Sequence, residues 1–204
     1  LGAVNTLVIE RDAGGQVAVG GHNTDAAGFV GALRDGGFQP RGASAVVVGA
    51  GGAARAVVYG LMHGGAQEIA VLNRTLKRAQ GLVSDLTPSS SGSLRAQPFT
   101  DETLIGAART ADLLVNATPI GMWPHVHRSI WPDDTPIPSH LTVFDLIYNP
   151  LETKLQDQAS ASGAAAIDGL GMLVRQGALA LEMWTGERAP IQVMRAACER
   201  SLRG

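Results

Sequence analysis

Ala45-Val46-Val47-Val48-Gly49-Ala50-Gly51-Gly52-Ala53-Ala54-Arg55 decides the fold of this chain. A four-residue run without polar alternation enters a glycine turn and then an apolar helical stretch, Ala53 to His63. Such a run suits a strand buried on both faces, which is the environment of a parallel sheet covered by helices. Working outward, five further runs repeat the pattern: Glu68 to Leu72, Leu94 to Gln97, Asp112 to Asn116, Thr142 to Leu146 and Ala164 to Ile167. Helical patterns fall between or after them at Leu76 to Leu86, Thr103 to Ala108, Lys154 to Ser160 and Leu170 to Trp184. Short strands alternating with helices predict an α/β fold, a doubly wound parallel sheet of about six strands, with ligands at the carboxyl ends of the strands.

The interruptions are informative as well. Thr87 to Gly92 reads as a polar loop, and Pro119 to His140 carries five prolines and no helical period, so it wraps the surface near the fourth strand. At the start, Ala3 to Ile9 and Gln16 to Val19 flank Asp12-Ala13-Gly14-Gly15, a β-hairpin pattern. A lone hairpin is marginal in water, so this one is expected to pair with strands that the chain does not obviously supply. His22-Asn23-Thr24-Asp25 then offers polar N-cap candidates for a helix over Ala26 to Arg34.

Composition narrows the function classes. Lys+Arg 16 against Asp+Glu 18 leaves a formal net charge of -2, and no basic field of the kind that recruits nucleic acid. Neither a signal peptide nor a membrane span is expected: no charged segment followed by an apolar stretch is read at Leu1, and the most apolar run, Ala45 to Met62, is broken by four glycines and Arg55. The one cysteine, Cys198, excludes an internal disulfide or a cysteine-based metal cluster and suits a reducing, cytoplasmic setting. His125 and His127 lack further metal-ligating companions, so no metal site is expected. Trp123 and Trp131 in the same loop read as cover for the sheet edge.

The glycine turn carries the first chemistry. Gly49 supplies unusual backbone angles, Gly51 lets backbone approach a pyrophosphate, and the small Ala54 permits close helix packing. The amides of Gly49, Ala50, Gly51, Gly52 and Ala53, at the positive end of a helix, would face phosphates. Strand, turn and helix together make a Rossmann-type dinucleotide fingerprint, where the turn alone would be weak. At the end of the second strand, where an NAD site places a carboxylate about 20 residues past the glycines, this chain has Asn73, Arg74 and Thr75, followed by Lys77 and Arg78. A guanidinium binds a 2′-phosphate bidentately where a carboxylate would repel it, so NADP is favoured. A solvated basic helix start is the structural alternative for these residues.

Seven segments in order resemble the shikimate/quinate dehydrogenase family: Gly2 to Thr6, Asn23 to Gly28, Gly49 to Arg55, Asn73 to Thr75, Asn116 to Met122, Asp145 to Pro150 and Gly169 to Gln176. The resemblance implies reversible, NADP-dependent reduction of 3-dehydroshikimate to shikimate on the route to the aromatic amino acids. It implies that Asp25 is the catalytic aspartate, that Asn5, Thr24, Tyr148 and Gln176 contact substrate, and that Thr118, Leu146, Gly169 and Met172 line the nicotinamide end. Each also has a structural reading: Asp25 on a helix dipole, Asn5 at a strand end, Tyr148 in a core, Gln176 facing solvent.

The family's substrate-binding domain precedes the Ala-Val-Asn-Thr segment and carries a lysine that partners the aspartate. Residues 1–22 are thus expected to be the tail of that domain, 23–190 the NADP-binding domain, and 191–204 a C-terminal helix packing back toward the first. Neither Lys77 nor Lys154 is placed to replace the lysine, and a carbonyl receiving hydride needs a proton donor or cation beside it. The chain as written is expected to bind cofactor better than it turns over. An NAD-using quinate/shikimate dehydrogenase and a non-catalytic NADP-binding module remain the alternatives, as monomer or homodimer.

Overall fold

The structure is a computed structural model that describes residues 2–11, 14–90 and 92–203; Asp12 and Ala13 of the expected hairpin turn, and Ser91 of the polar loop, lie outside them. It opens on two antiparallel strands, β1 (Thr6–Arg11) and β2 (Val17–His22), which pair with each other from Thr6 opposite His22 to Arg11 opposite Val17. Helix α1 (Asp25–Asp35) leads into the main sheet. There follow β3 (Ser44–Val48), α2 (Gly52–His63), β4 (Glu68–Asn73), α3 (Leu76–Leu86), β5 (Ser93–Pro98), α4 (Asp101–Ala108), β6 (Leu113–Asn116), β7 (Thr142–Asp145), α5 (Lys154–Ala161), β8 (Ala165–Ile167), α6 (Gly169–Thr185) and α7 (Ile191–Arg203).

The sheet is wholly parallel, in the order β5-β4-β3-β6-β7-β8. From β3 the chain winds outward through β4 to β5, then returns to β6 and winds the other way. The order therefore reverses between β3 and β6, which is where an open α/β sheet forms its ligand crevice.

The side-chain period of a strand distributes the core. Ala45 and Val47 of β3 face one layer, with Phe29 and Leu33 of α1, Val57 and Leu61 of α2, Leu82 of α3 and Met172 of α6. Val46 and Val48 face the other, with Leu104 of α4, Leu155 of α5, and Ile130, Trp131 and Ile137 from the long loop. Each fully buried side chain of this size contributes roughly 1.5–3 kcal/mol relative to exposure. Phe29 stacks on Phe144 of β7, with ring centroids 5.1 Å apart, which pins α1 to the sheet.

Three expectations need correction. Trp131 is buried and its indole donates to the Thr135 carbonyl at 2.7 Å, but Trp123 is 66% exposed and covers no edge. The segment after α3 is not all loop: Thr87–Ser89 forms a 3-10 turn with Pro88 as its second residue, whose fixed backbone angle suits a first turn. Helix α1 begins at Asp25, one residue earlier than its apolar period suggests, and Thr24 at the N-cap makes no side-chain cap bond. Asn23 instead accepts from the Ala26 amide at 3.3 Å.

Candidate active site

The glycine turn closes β3 onto α2 in the manner its residues demand. Gly49 has φ 121°, and a Cβ there would stand 2.7 Å from the Ala117 carbonyl oxygen, so the turn admits no side chain at this point. Gly51 and Gly52 differ, since a Cβ on either would meet nothing within 4 Å. Gly51 is the N-cap of α2 and brings no side chain to cap the first-turn amides. The Arg55 amide, bonded to the Gly51 carbonyl at 3.0 Å, starts the helical ladder. The amides ahead of it, at Gly52 to Ala54, are left for an anion at the positive helix end. The residues present thus fit a pyrophosphate.

On one side of this turn, Arg74, Thr75 and Arg78 are exposed at the carboxyl end of β4, and Asn73 braces them by donating to the Thr75 carbonyl at 2.9 Å. Arg55 in the first turn of α2 is ion-paired with Asp85 of α3. On the other side stand Thr118 after β6, Leu146 after β7, and the N-terminus of α6. A Cβ on Gly169 would fall 2.2 Å from the Leu146 carbonyl oxygen, so only glycine lets α6 start against β7. Asp168 caps α6, accepting from the Gly171 amide at 2.9 Å, and is held from α7 by Arg195 at 2.8 Å.

Gly169, Met172 and Gln176 follow one another at spacings of three and four, so they share one stripe of α6. Seven residues at about 1.5 Å each carry that stripe roughly 10 Å along the helix. At its far end is a polar cluster drawn from three places in the fold, the entry to β1, the start of α1, and α6. The Asn5 side-chain oxygen accepts from the Thr24 amide at 2.9 Å and from the Thr6 hydroxyl at 3.0 Å. Those bonds aim its NH2 group at Thr24 Oγ1 (3.0 Å), Asp25 Oδ1 (2.8 Å) and Gln176 Oε1 (3.3 Å). Asn5, Thr24, Asp25 and Gln176 are therefore brought together from positions up to 171 residues apart. Gln176 is half-buried and does not simply face solvent.

Tyr148 is 41% exposed after β7, and no hydrogen bond among the described residues joins it to the cluster. It does not sit in the core. Lys154 is engaged with Asp133 at 2.7 Å, and Lys77 lies in the first turn of α3; neither meets Asp25. Among the described residues no group of His, Cys, Asp and Glu is placed to hold a metal. Among the described residues no helix is long and apolar enough to cross a membrane. A shallow groove of about 510 Å3 between β5 and α4 is lined by residues such as Arg95 and Glu102 and lies apart from the polar cluster.

Two buried residues beside the crevice escape a sequence reading. Asn116 ends β6 and Asp145 ends β7; both have no exposed surface, and Asn116 Nδ2 donates to Asp145 Oδ1 at 3.0 Å. Burial pushes the Asp145 carboxyl up to about 6, outweighing hydrogen bonds from Thr153, the Ile147 amide and Asn116 that act the other way. The signal that could have found them is a polar residue closing an otherwise apolar buried run, at the end of the strand that faces a crevice.

Comparison with known proteins agrees with this geometry. The family model for shikimate / quinate 5-dehydrogenase matches residues 35–120, and that for the shikimate 5′-dehydrogenase C-terminal domain matches residues 169–199. The chain is 44% identical over 204 residues to a shikimate dehydrogenase (NADP(+)) of Methanopyrus kandleri, covering 100% of this chain and 69% of that protein. It is similar to the structure of shikimate 5-dehydrogenase from Thermus thermophilus in complex with NADP(H) and shikimate, with 39% identity, a TM-score of 0.81, and coverage of 98% and 69%. It also resembles quinate dehydrogenase from Corynebacterium glutamicum in complex with NAD, with 33% identity, a TM-score of 0.86, and coverage of 98% and 68%. The chain spans 64 to 69% of the length of the first curated relatives it matches.

Proposed function

The chain belongs to the shikimate/quinate 5-dehydrogenase family, and on that premise we propose that it carries the cofactor half and part of the substrate site of an NADP-dependent shikimate dehydrogenase. The observation that carries this reading is the meeting of Asn5, Thr24, Asp25 and Gln176 at the end of the α6 stripe that begins at Gly169. A bound dinucleotide would supply hydride chemistry at its nicotinamide ring. The turn from Gly49 to Ala53 holds its phosphates through amides beyond that of Gly49, which donates to the Leu72 carbonyl at 2.8 Å, and Asn73, Arg74, Thr75 and Arg78 hold the adenosine end with its 2′-phosphate. Thr118, Leu146, Gly169 and Met172 shape the other end.

Asp25 is the group set to exchange a proton with the reacting hydroxyl, oriented by the Asn5 amide. Neutral donors and acceptors on Asn5, Thr24 and Gln176 suit the hydroxyls of a polyhydroxylated acid, with Tyr148 reaching in from the β7 loop. Residues 1–22 are read as the edge of the substrate-binding domain, 23–190 as the cofactor domain, and 191–204 as a helix that braces α6 and packs back toward the first. The chain by itself then binds NADP but turns over slowly, because no lysine of its own partners Asp25.

The experiment is spectrophotometric. Shikimate and quinate are each offered with NADP and with NAD, to this chain and to the full-length protein that contains it, while NADPH binding is followed by fluorescence. NADPH binding by both, with shikimate-dependent NADP reduction strongest in the full-length protein, is expected. A preference for NAD would overturn the role given to Arg74. NADPH binding without turnover in either protein would favour the non-catalytic module.

A further inference from the structure

We propose that Asn116, clamped by Asp145, is a positioning residue that sets the Ala117–Ile120 turn against the nicotinamide half of the dinucleotide. The inference rests on the dinucleotide reading above and deepens it.

Three observations carry it. First, the turn lies at the sheet reversal. It follows β6, the strand beside β3, and the Gly49 turn packs on it so tightly that a Cβ on Gly49 would strike the Ala117 carbonyl oxygen and approach Thr118 Cγ2 to 3.4 Å. Arg74 directly follows β4, which lies on the far side of β3, so the turn falls on the half of the crevice opposite the adenosine end.

Second, Asn116 organises that turn through both ends of its amide. Its Oδ1 accepts from the Thr118 hydroxyl at 2.7 Å and the Thr118 amide at 3.0 Å, while its Nδ2 donates to the Ile120 carbonyl at 3.2 Å. The Thr118 hydroxyl is thereby directed, and its oxygen takes the Ile120 amide at 3.1 Å.

Third, Asp145 determines which way the amide points. With Asp145 Oδ1 accepting from Nδ2, the oxygen of Asn116 is left toward Thr118; a reversed amide would place two acceptors together. Asp145 is itself anchored by the Ile147 amide at 3.1 Å and the Thr153 hydroxyl at 2.8 Å, the residue that caps α5. A fully buried network of this kind is rigid when every member is satisfied. It ties the ends of β6 and β7 to the turn, without either residue reaching the crevice itself.

The test separates the two halves of the ligand. Affinity for NADPH and for adenosine 2′,5′-bisphosphate, which lacks the nicotinamide half, is measured on the wild-type chain and on Asn116→Ala, Asp145→Ala, Asp145→Asn and Thr118→Val, each checked by thermal unfolding. Asn116→Ala and Asp145→Ala are expected to weaken NADPH about ten-fold while leaving the bisphosphate within about two-fold. Thr118→Val, which deletes only the oriented hydroxyl, gives the same split in smaller measure should either alanine variant fail to fold. Asp145→Asn keeps an oxygen for Asn116 and Ile147, and the Thr153 hydroxyl can turn to accept from its amide, so it retains NADPH affinity. Equal loss of both ligands, or no loss of NADPH in any variant, would overturn the inference. So would an Asp145→Asn variant as impaired as Asp145→Ala. A wild-type chain that binds neither ligand overturns the dinucleotide reading and this inference with it.

Discussion

A Cβ on Gly28 of α1 would stand 2.9 Å from the backbone nitrogen of Gln176 on α6. The two helices touch at backbone distance there, and a methyl group on Gly31 would meet Arg175 Cδ at 2.8 Å one turn further on. Arg175 closes over the contact by pairing with Asp35. That approach lets Gln176 reach the Asn5 side chain and lie near Thr24 Oγ1, at 3.4 Å, from the opposite side of the cluster.

Gly28→Ala should therefore destabilise the chain, although alanine is the better helix former by about 1 kcal/mol. The obstacle is backbone, which cannot swing aside, and overpacking of this kind costs about 1–3 kcal/mol. Urea unfolding should show a lower midpoint, and shikimate affinity by calorimetry should fall with it. A more stable variant with unchanged shikimate affinity would show that the close approach is dispensable.

Gly49 and Gly51 should behave differently when changed to alanine. Gly49→Ala meets both a left-handed backbone and the Ala117 carbonyl, so both folding stability and NADPH affinity should drop. Gly51 has φ -93°, which alanine tolerates, and open space at its Cβ position. Gly51→Ala should melt within ~1 °C of wild type yet bind NADPH at least about ten-fold more weakly, because the methyl stands where the pyrophosphate must approach.

Arg74→Glu should alter cofactor choice without altering the fold, since Arg74 is exposed. NADPH affinity is expected to fall about 10- to 100-fold through loss of a charge-assisted bidentate contact and gain of repulsion, while NADH affinity changes little. Titration of both cofactors against the same preparation measures the ratio. An unchanged ratio would place the 2′-phosphate on other residues.

Asp145 predicts a pH dependence of stability. Its folded value of about 6 lies above the ordinary 3.8, so the folded protein holds this proton more tightly than the unfolded chain does. The resulting contribution is full below the unfolded value and is lost as pH rises through the folded one, roughly 3 kcal/mol at most. Asp145→Asn cannot ionise. Its stability relative to wild type should therefore improve between pH 4 and pH 7, measured by urea unfolding at each pH. A constant difference across that window would contradict a raised carboxyl.

Much of this architecture could be read from local patterns. The runs at Ala45 to Val48 and Glu68 to Leu72 are strands within one residue of expectation, and Leu76 to Leu86 is helix α3 with the same bounds. Pattern reading works there because a buried parallel strand and an amphipathic helix each impose a period that a few residues display. Trp123 and Trp131 show where it fails: two tryptophans eight positions apart in one proline-rich loop look alike, yet one is 66% exposed and the other 2%. Loop burial depends on what the rest of the chain places beneath it, which no period encodes.

By itself, then, the sequence determined the sheet, the glycine turn and the order of the motifs, since these follow from backbone sterics and side-chain period within short windows. Only the tertiary structure decided that Asn5 of the hairpin segment, Asp25 of α1 and Gln176 of α6 meet at hydrogen-bond distance, and that Asn116 and Asp145 lock the turn beside them. Such contacts join residues 20 to 171 positions apart. They arise when burial of the apolar faces brings the elements together, and the polar groups carried inside must then find one another.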